Sequence, residues 1–208
     1  MALMTSLRYR AMSRRITELR NNLLPAKFSP LGLYSDRVYE RTRAFRVLTH
    51  AEFEAFIEDR ALEVVTRAHS EWKRAGVIRP SLLSLMSHWN SSPQIPESLD
   101  DLGDNSSKYP TLAARIKSAK GHYSTYIKMR NNGIKEKDLL LILLPLGVTK
   151  NEIDAAWLDD TESWATDRGT VAHTSAKMQV QLDPKIELAT VRKVRDGFRR
   201  IDKILLHK

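Results

Sequence analysis

Arg168 and His173 are the residues of this chain whose types and spacing point most directly to chemistry. They lie in the stretch Trp164–Ser175, with four residues between them and small or hydroxyl side chains around them. An imidazole titrates near neutral pH, so it can both take and return a proton. A guanidinium clamps a phosphate and stabilises the charge that builds up during displacement. These are the two side chains that metal-free cleavage of a phosphodiester most needs. Thr170, Thr174 and Ser175 are candidates to hold the phosphate oxygens.

Spacing alone is not specific. The chain has 20 arginines and six histidines, and Arg43/His50, Arg115/His122 and Arg200/His207 repeat the order with six residues between. Other chemistries lack their signatures. There is no cysteine, no glycine-rich phosphate loop, no His-Glu-x-x-His and no Gly-x-Ser-x-Gly. His50, His69, His88, His122 and His207 are scattered, and His69 reads as a packing or surface residue. No metal or cofactor is therefore expected.

Charge supports a polyanionic partner. The formal net charge is +9, and it is concentrated at the ends. Residues 1–48 hold ten Lys/Arg against three Asp/Glu, and residues 185–208 hold eight against three. A basic surface steers a polyanion toward it and releases the counterions of that polyanion. Arg192, Lys193, Arg195 and Arg199 are candidates to track an RNA backbone, with a solvated helix face as the plainer reading. The longest apolar run, Leu139–Leu146, is interrupted by Pro145 and too short to span a bilayer. No apolar signal core precedes the first arginines, so a cytoplasmic location and no membrane partner are expected.

The elements that position these residues read as helices. Leu7, Ala11, Ile16, Leu19 and Leu23 predict a helix over about 6–24, stopped by Pro25. Ser35 opens a second, running to about Val47. Leu48-Thr49-x-x-Glu52 reads as a capping box with Leu48 as a staple on Phe53, starting a separate long helix that ends at Gly76. A short helix over Pro80–Trp89 precedes a segment at 90–110 without periodicity, read as a long loop. Helices are predicted over 111–130 and 136–146. A second capping box, Thr149-x-x-Glu152, opens a helix through Trp157, and Asp159 or Asp160 caps the one bearing Arg168 and His173. Asp183-Pro184 starts the last, with a seam of Val191, Val194, Phe198, Ile201 and Leu205. Only 177–182 alternates like a strand, and one short run makes no sheet. The fold class is all-α.

The string Arg-Gly-Thr-Val-Ala-His-Thr-Ser, after a helix bearing Trp157 and Trp164 and before an amphipathic basic helix, resembles the HEPN superfamily. The final third is most similar to bacterial HEPN nucleases of the RiboL-PSP type. The resemblance covers about 48–206, leaving 90–110 unmatched and making residues 1–47 a basic N-terminal helical extension to a bundle over 48–208. It implies a metal-independent endoribonuclease with a toxin or phage-defence role, a homodimeric composite site, and an antitoxin or sensor as a further partner. Arg168 and His173 match the motif positions. Gly169 departs from it, since many active members carry Asn, Asp or His there.

Helix geometry gives a separate reason for a dimer. Residues five apart on an α-helix differ by about 140° in direction and 7.5 Å in height. Either a two-fold axis brings two copies of the pair around one phosphate, or unwinding at Gly169 bends one pair into register. Two other readings stand beside the nuclease. One is a non-catalytic bundle that binds nucleic acid or a partner, with Arg168 paired to Asp167 or Glu162 and His173 buried and satisfied. The other is a basic helical scaffold whose 90–110 loop binds a protein.

Overall fold

Hydrophobic stripes at three- and four-residue steps dominate the chain, and they fold into helices. The computed structural model describes residues 5–89, 109–173 and 181–208, apart from the side chains of 167–173. Among these residues there are seven α-helices, two short 3-10 turns and no strand.

α1 spans Leu7–Leu23, and the Ser6 hydroxyl accepts from the Tyr9 amide at 3.0 Å as its cap. Tyr9, Met12, Ile16 and Leu19 form its buried stripe. α2 is a single helix of 40 residues, Asp36–Ala75, closed by Gly76 at φ +66°. It is about 60 Å long.

The boundary expected at Val47–Leu48 does not exist. Thr49 is fully buried inside α2, and Leu48 is 43% exposed, not stapled onto Phe53. Tyr39, Thr42, Phe45, Thr49 and Phe53 carry one stripe straight across that point. Because the same face stays buried on both sides, continuing the helix avoids the exposed backbone groups that two new ends would create.

α3 covers Pro80–Trp89 and α4 covers Leu112–Met129, where the Thr111 hydroxyl accepts from Ala114 N. α5, Glu136–Leu143, passes into a 3-10 turn at Leu144–Leu146 containing Pro145. The Thr149/Glu152 capping box forms, but it closes a 3-10 turn at Lys150–Glu152 and not a helix. α6 then runs over Ala155–His173 as one piece. Asp154 takes the expected capping role, accepting from Trp157 N at 3.3 Å. Asp159 and Asp160 lie exposed within α6, where their amides already have helical partners. α7, Pro184–Leu206, is capped by Asp183, which accepts from Lys185 N and Ile186 N.

Cross-helix partners fix the arrangement. Arg46 pairs with Glu187 and Arg60 with Asp202, so α2 and α7 run parallel. Arg8 meets Asp59 and Arg15 meets Glu52, so α1 runs antiparallel to α2. Trp164 stacks on His50, while Trp157 packs on Phe198 and donates to the Val194 carbonyl at 3.0 Å. α6 is therefore antiparallel to both α2 and α7. α3, α4 and α5 cover the rest of α2. One continuous core joins all seven helices, and Tyr9, Met12, Ile16 and Leu19 of the basic first segment belong to it.

Gly197 makes the α6–α7 approach close. A Cβ there would stand 2.0 Å from the Trp157 ring. Alanine is worth up to about 1 kcal/mol over glycine in a helix, but an overpacked core costs about 1–3 kcal/mol. The rigid indole cannot yield without losing its bond to Val194, so the clash dominates. Gly197→Ala should lower stability by about 2 kcal/mol in urea denaturation.

Candidate functional site

α2, α6 and α7 meet at an aromatic layer in which the Phe53 and Phe198 rings stack at 4.9 Å and the edge of Trp164 reaches Phe53. On the Trp164 side of that layer the contacts turn polar. Arg46 Nε donates to Glu187 Oε2 at 3.0 Å, and its terminal Nη2 donates to the same oxygen. Glu187 Oε1 accepts from Trp164 Nε1 at 2.8 Å. The carboxylate thus ties three helices together while only 2% exposed. His50 stacks on Trp164 with ring centres 5.8 Å apart, and its Nδ1 lies 3.7 Å from the Glu54 carboxylate.

This joint ties Trp164 of α6 to α2 and α7. Beyond Trp164 the helix continues through Gly169 to His173 without a break. The unwinding considered for Gly169 does not occur: glycine keeps its backbone hydrogen bonds, and its entropic cost of about 1 kcal/mol in a helix is too small to break one. Arg168 and His173 both stand on α6, about 140° apart in direction and about 7.5 Å apart in height. The side chains of Arg168, Thr170 and His173 lie outside the described residues, as do Thr174 and Ser175 entirely. Glu162, one partner considered for Arg168, accepts from the Glu136 amide at 2.7 Å and so caps α5. Asp167, the other, has a side chain outside the description.

The four basic candidates of α7 are not equivalent. Arg192, Lys193 and Arg199 are exposed, whereas Arg195 is half-buried and its carbonyl accepts from the Tyr9 hydroxyl at 3.4 Å. None of the four makes an ion pair among the described residues, whereas Arg200 beside them is paired with Asp154 at 2.8 Å. Tyr9 brings α1 against α7, and Arg10 and Arg14 of α1 are also exposed. Near the start of α7 there is an apolar patch. Leu31, Leu33 and Ile186 are 81%, 73% and 67% exposed. Gly32, between the two leucines, lies close enough to Asp183 that a Cβ on it would be 3.3 Å from the carboxylate.

Sequence reasoning did not find the joint. Arg46, His50 and Glu54 follow one another at four-residue steps on α2, a spacing that puts them on one face. Dividing α2 at Leu48 hid that spacing. Glu187 looked like one more surface charge, although it stands one position before Leu188 in the buried seam.

No family model, no curated protein and no solved structure matches this chain. Among the described residues no helix is long and apolar enough to cross a membrane, and no group of three or more histidine and acidic side chains converges as a metal site.

Proposed function

We propose that this chain is a metal-independent endoribonuclease of the HEPN kind, acting as a homodimer with a composite site. What supports the reading is that Arg168 and His173 lie on one unbroken helix, whose Trp164 is tied to α2 and α7 through Glu187 and Arg46. Catalytic groups held on such an element keep their geometry through the reaction. The two positions are about 140° apart around the helix, and in this reading one phosphate takes groups from two copies. The exposed Leu31, Leu33 and Ile186 beside the start of α7 supply apolar surface for that contact.

In this reading His173 of one copy takes the proton from a ribose 2′-hydroxyl. The freed oxygen attacks the adjacent phosphorus, Arg168 stabilises the phosphorane, and His173 of the second copy protonates the leaving 5′-oxygen. The products are a 2′,3′-cyclic phosphate and a 5′-hydroxyl, and DNA resists for want of the nucleophile. Arg192, Lys193 and Arg199 follow the RNA backbone. A cytoplasmic toxin or phage-defence role, with an antitoxin or sensor in control, belongs to the same reading.

A second reading is favoured by the same separation of directions. In it the chain does not cut, and serves as a nucleic-acid- or partner-binding module. Incubating the purified protein with labelled RNA in excess EDTA separates the two. Cleavage by the wild type and not by His173→Ala supports the nuclease, and binding without cleavage by either supports the module.

A further inference from the structure

Far from the α6 motif, a groove of about 620 Å³ runs between the end of α2 and the Ala113–Ser124 stretch of α4. That volume falls in the range of sites that take a small ligand or a single nucleotide. His69, Trp72 and Lys73 line it from α2, and Lys117, Lys120 and Ser124 line it from α4. His69 lies nineteen residues beyond His50 on α2, about 28 Å along the helix.

The charge here is unbalanced. α4 contains no acidic residue, and none of Lys73, Lys117 and Lys120 makes an ion pair among the described residues. The nearest acidic residue along α2, Glu71, is engaged by Arg79 through two hydrogen bonds. Burial, and then Lys120 and Lys73, push the His69 imidazole below its ordinary range. Three cations around one groove, without an ion pair among the described residues, repel one another unless an anion joins them. The walls also offer a flat apolar surface. Trp72 is half-buried with its ring tilted 41° to that of His69, and α4 contributes alanines and Gly121 instead of bulky side chains. An aromatic face beside phosphate-binding cations is the combination that holds unpaired bases without reading sequence.

We propose that this groove binds a nucleotide unit of single-stranded RNA, with a base stacked on Trp72 and the adjoining phosphates on Lys73, Lys117 and Lys120. The proposal uses none of the residues of the cleavage reading and stands whether or not the chain cuts. A fully 2′-O-methylated, fluorescein-labelled 12-nucleotide RNA is the probe, because it cannot be cleaved by 2′-hydroxyl attack. Its binding to the full chain is followed by anisotropy across a salt series.

Lys117→Gln/Lys120→Gln should raise Kd about tenfold and reduce the slope of log K against log salt by about 1.4. Gly121→Leu should raise Kd about tenfold by occupying the groove. A Cβ at Gly121 meets nothing within 4 Å, and leucine is the better helix former, so its unfolding midpoint should not fall. Failure of the wild type to bind the oligonucleotide overturns the proposal, as does wild-type affinity in both variants. Tight binding of AMP without binding of the oligonucleotide would assign the groove to free nucleotide and also overturn it.

Discussion

Glu187→Ala should destabilise the protein by about 3–5 kcal/mol, the largest loss expected of any single truncation here. The carboxylate is almost wholly buried, and it accepts from both Arg46 and the Trp164 indole. Removing it leaves a desolvated guanidinium without its carboxylate and an indole N–H without an acceptor. The penalty comes from the stranded charge rather than from the worth of the pair. Arg46→Met/Glu187→Met should therefore lose less than Glu187→Ala, since it removes the stranded charge and leaves only the Trp164 indole N–H without an acceptor. Urea denaturation of the wild type and these two variants measures the difference directly. Equal losses in Glu187→Ala and the double variant would show that the stranded guanidinium is not the source of the penalty.

The second large effect concerns the dependence of cleavage on both copies of His173. His173→Ala should lower the rate of RNA cleavage by about 10²–10⁴-fold, the range for loss of a proton-transfer group. If one site uses an imidazole from each copy, a mixed dimer with a single His173 is as inactive as the variant homodimer. When wild-type and His173→Ala chains are mixed at fixed total concentration, activity should then follow the square of the wild-type fraction. An equal mixture should retain about a quarter of the wild-type rate. A linear dependence, with about half the rate remaining, would mean that each chain carries a complete site.

Local signals were legible in the sequence wherever one short stretch determined the outcome. Asp183-Pro184 caps α7 as its residues require, the helix expected over about 6–24 forms as α1, and the seam from Val191 to Leu205 is buried throughout. Misreadings arose where two local signals competed. Thr49-x-x-Glu52 has the composition of a cap, but burial of the α2 stripe on both sides outweighed it. Thr149-x-x-Glu152 has the same composition and does form its box, because Gly147 at φ +77° has already turned the chain there. At the site, the motif itself was visible as a string. Its support was not, because Arg46 and Glu187 are 141 residues apart and only tertiary packing pairs them.

The central claim is that Arg168 and His173 cleave RNA by attack of its own 2′-hydroxyl. The most direct test is end-group analysis of a labelled RNA incubated in excess EDTA, beside the same RNA with one 2′-deoxy sugar at the mapped cleavage position. Fragments with 2′,3′-cyclic phosphate and 5′-hydroxyl ends are expected, with cutting abolished at the deoxy position. Cleavage that persists at the deoxy sugar, or that leaves 5′-phosphates, would contradict the mechanism.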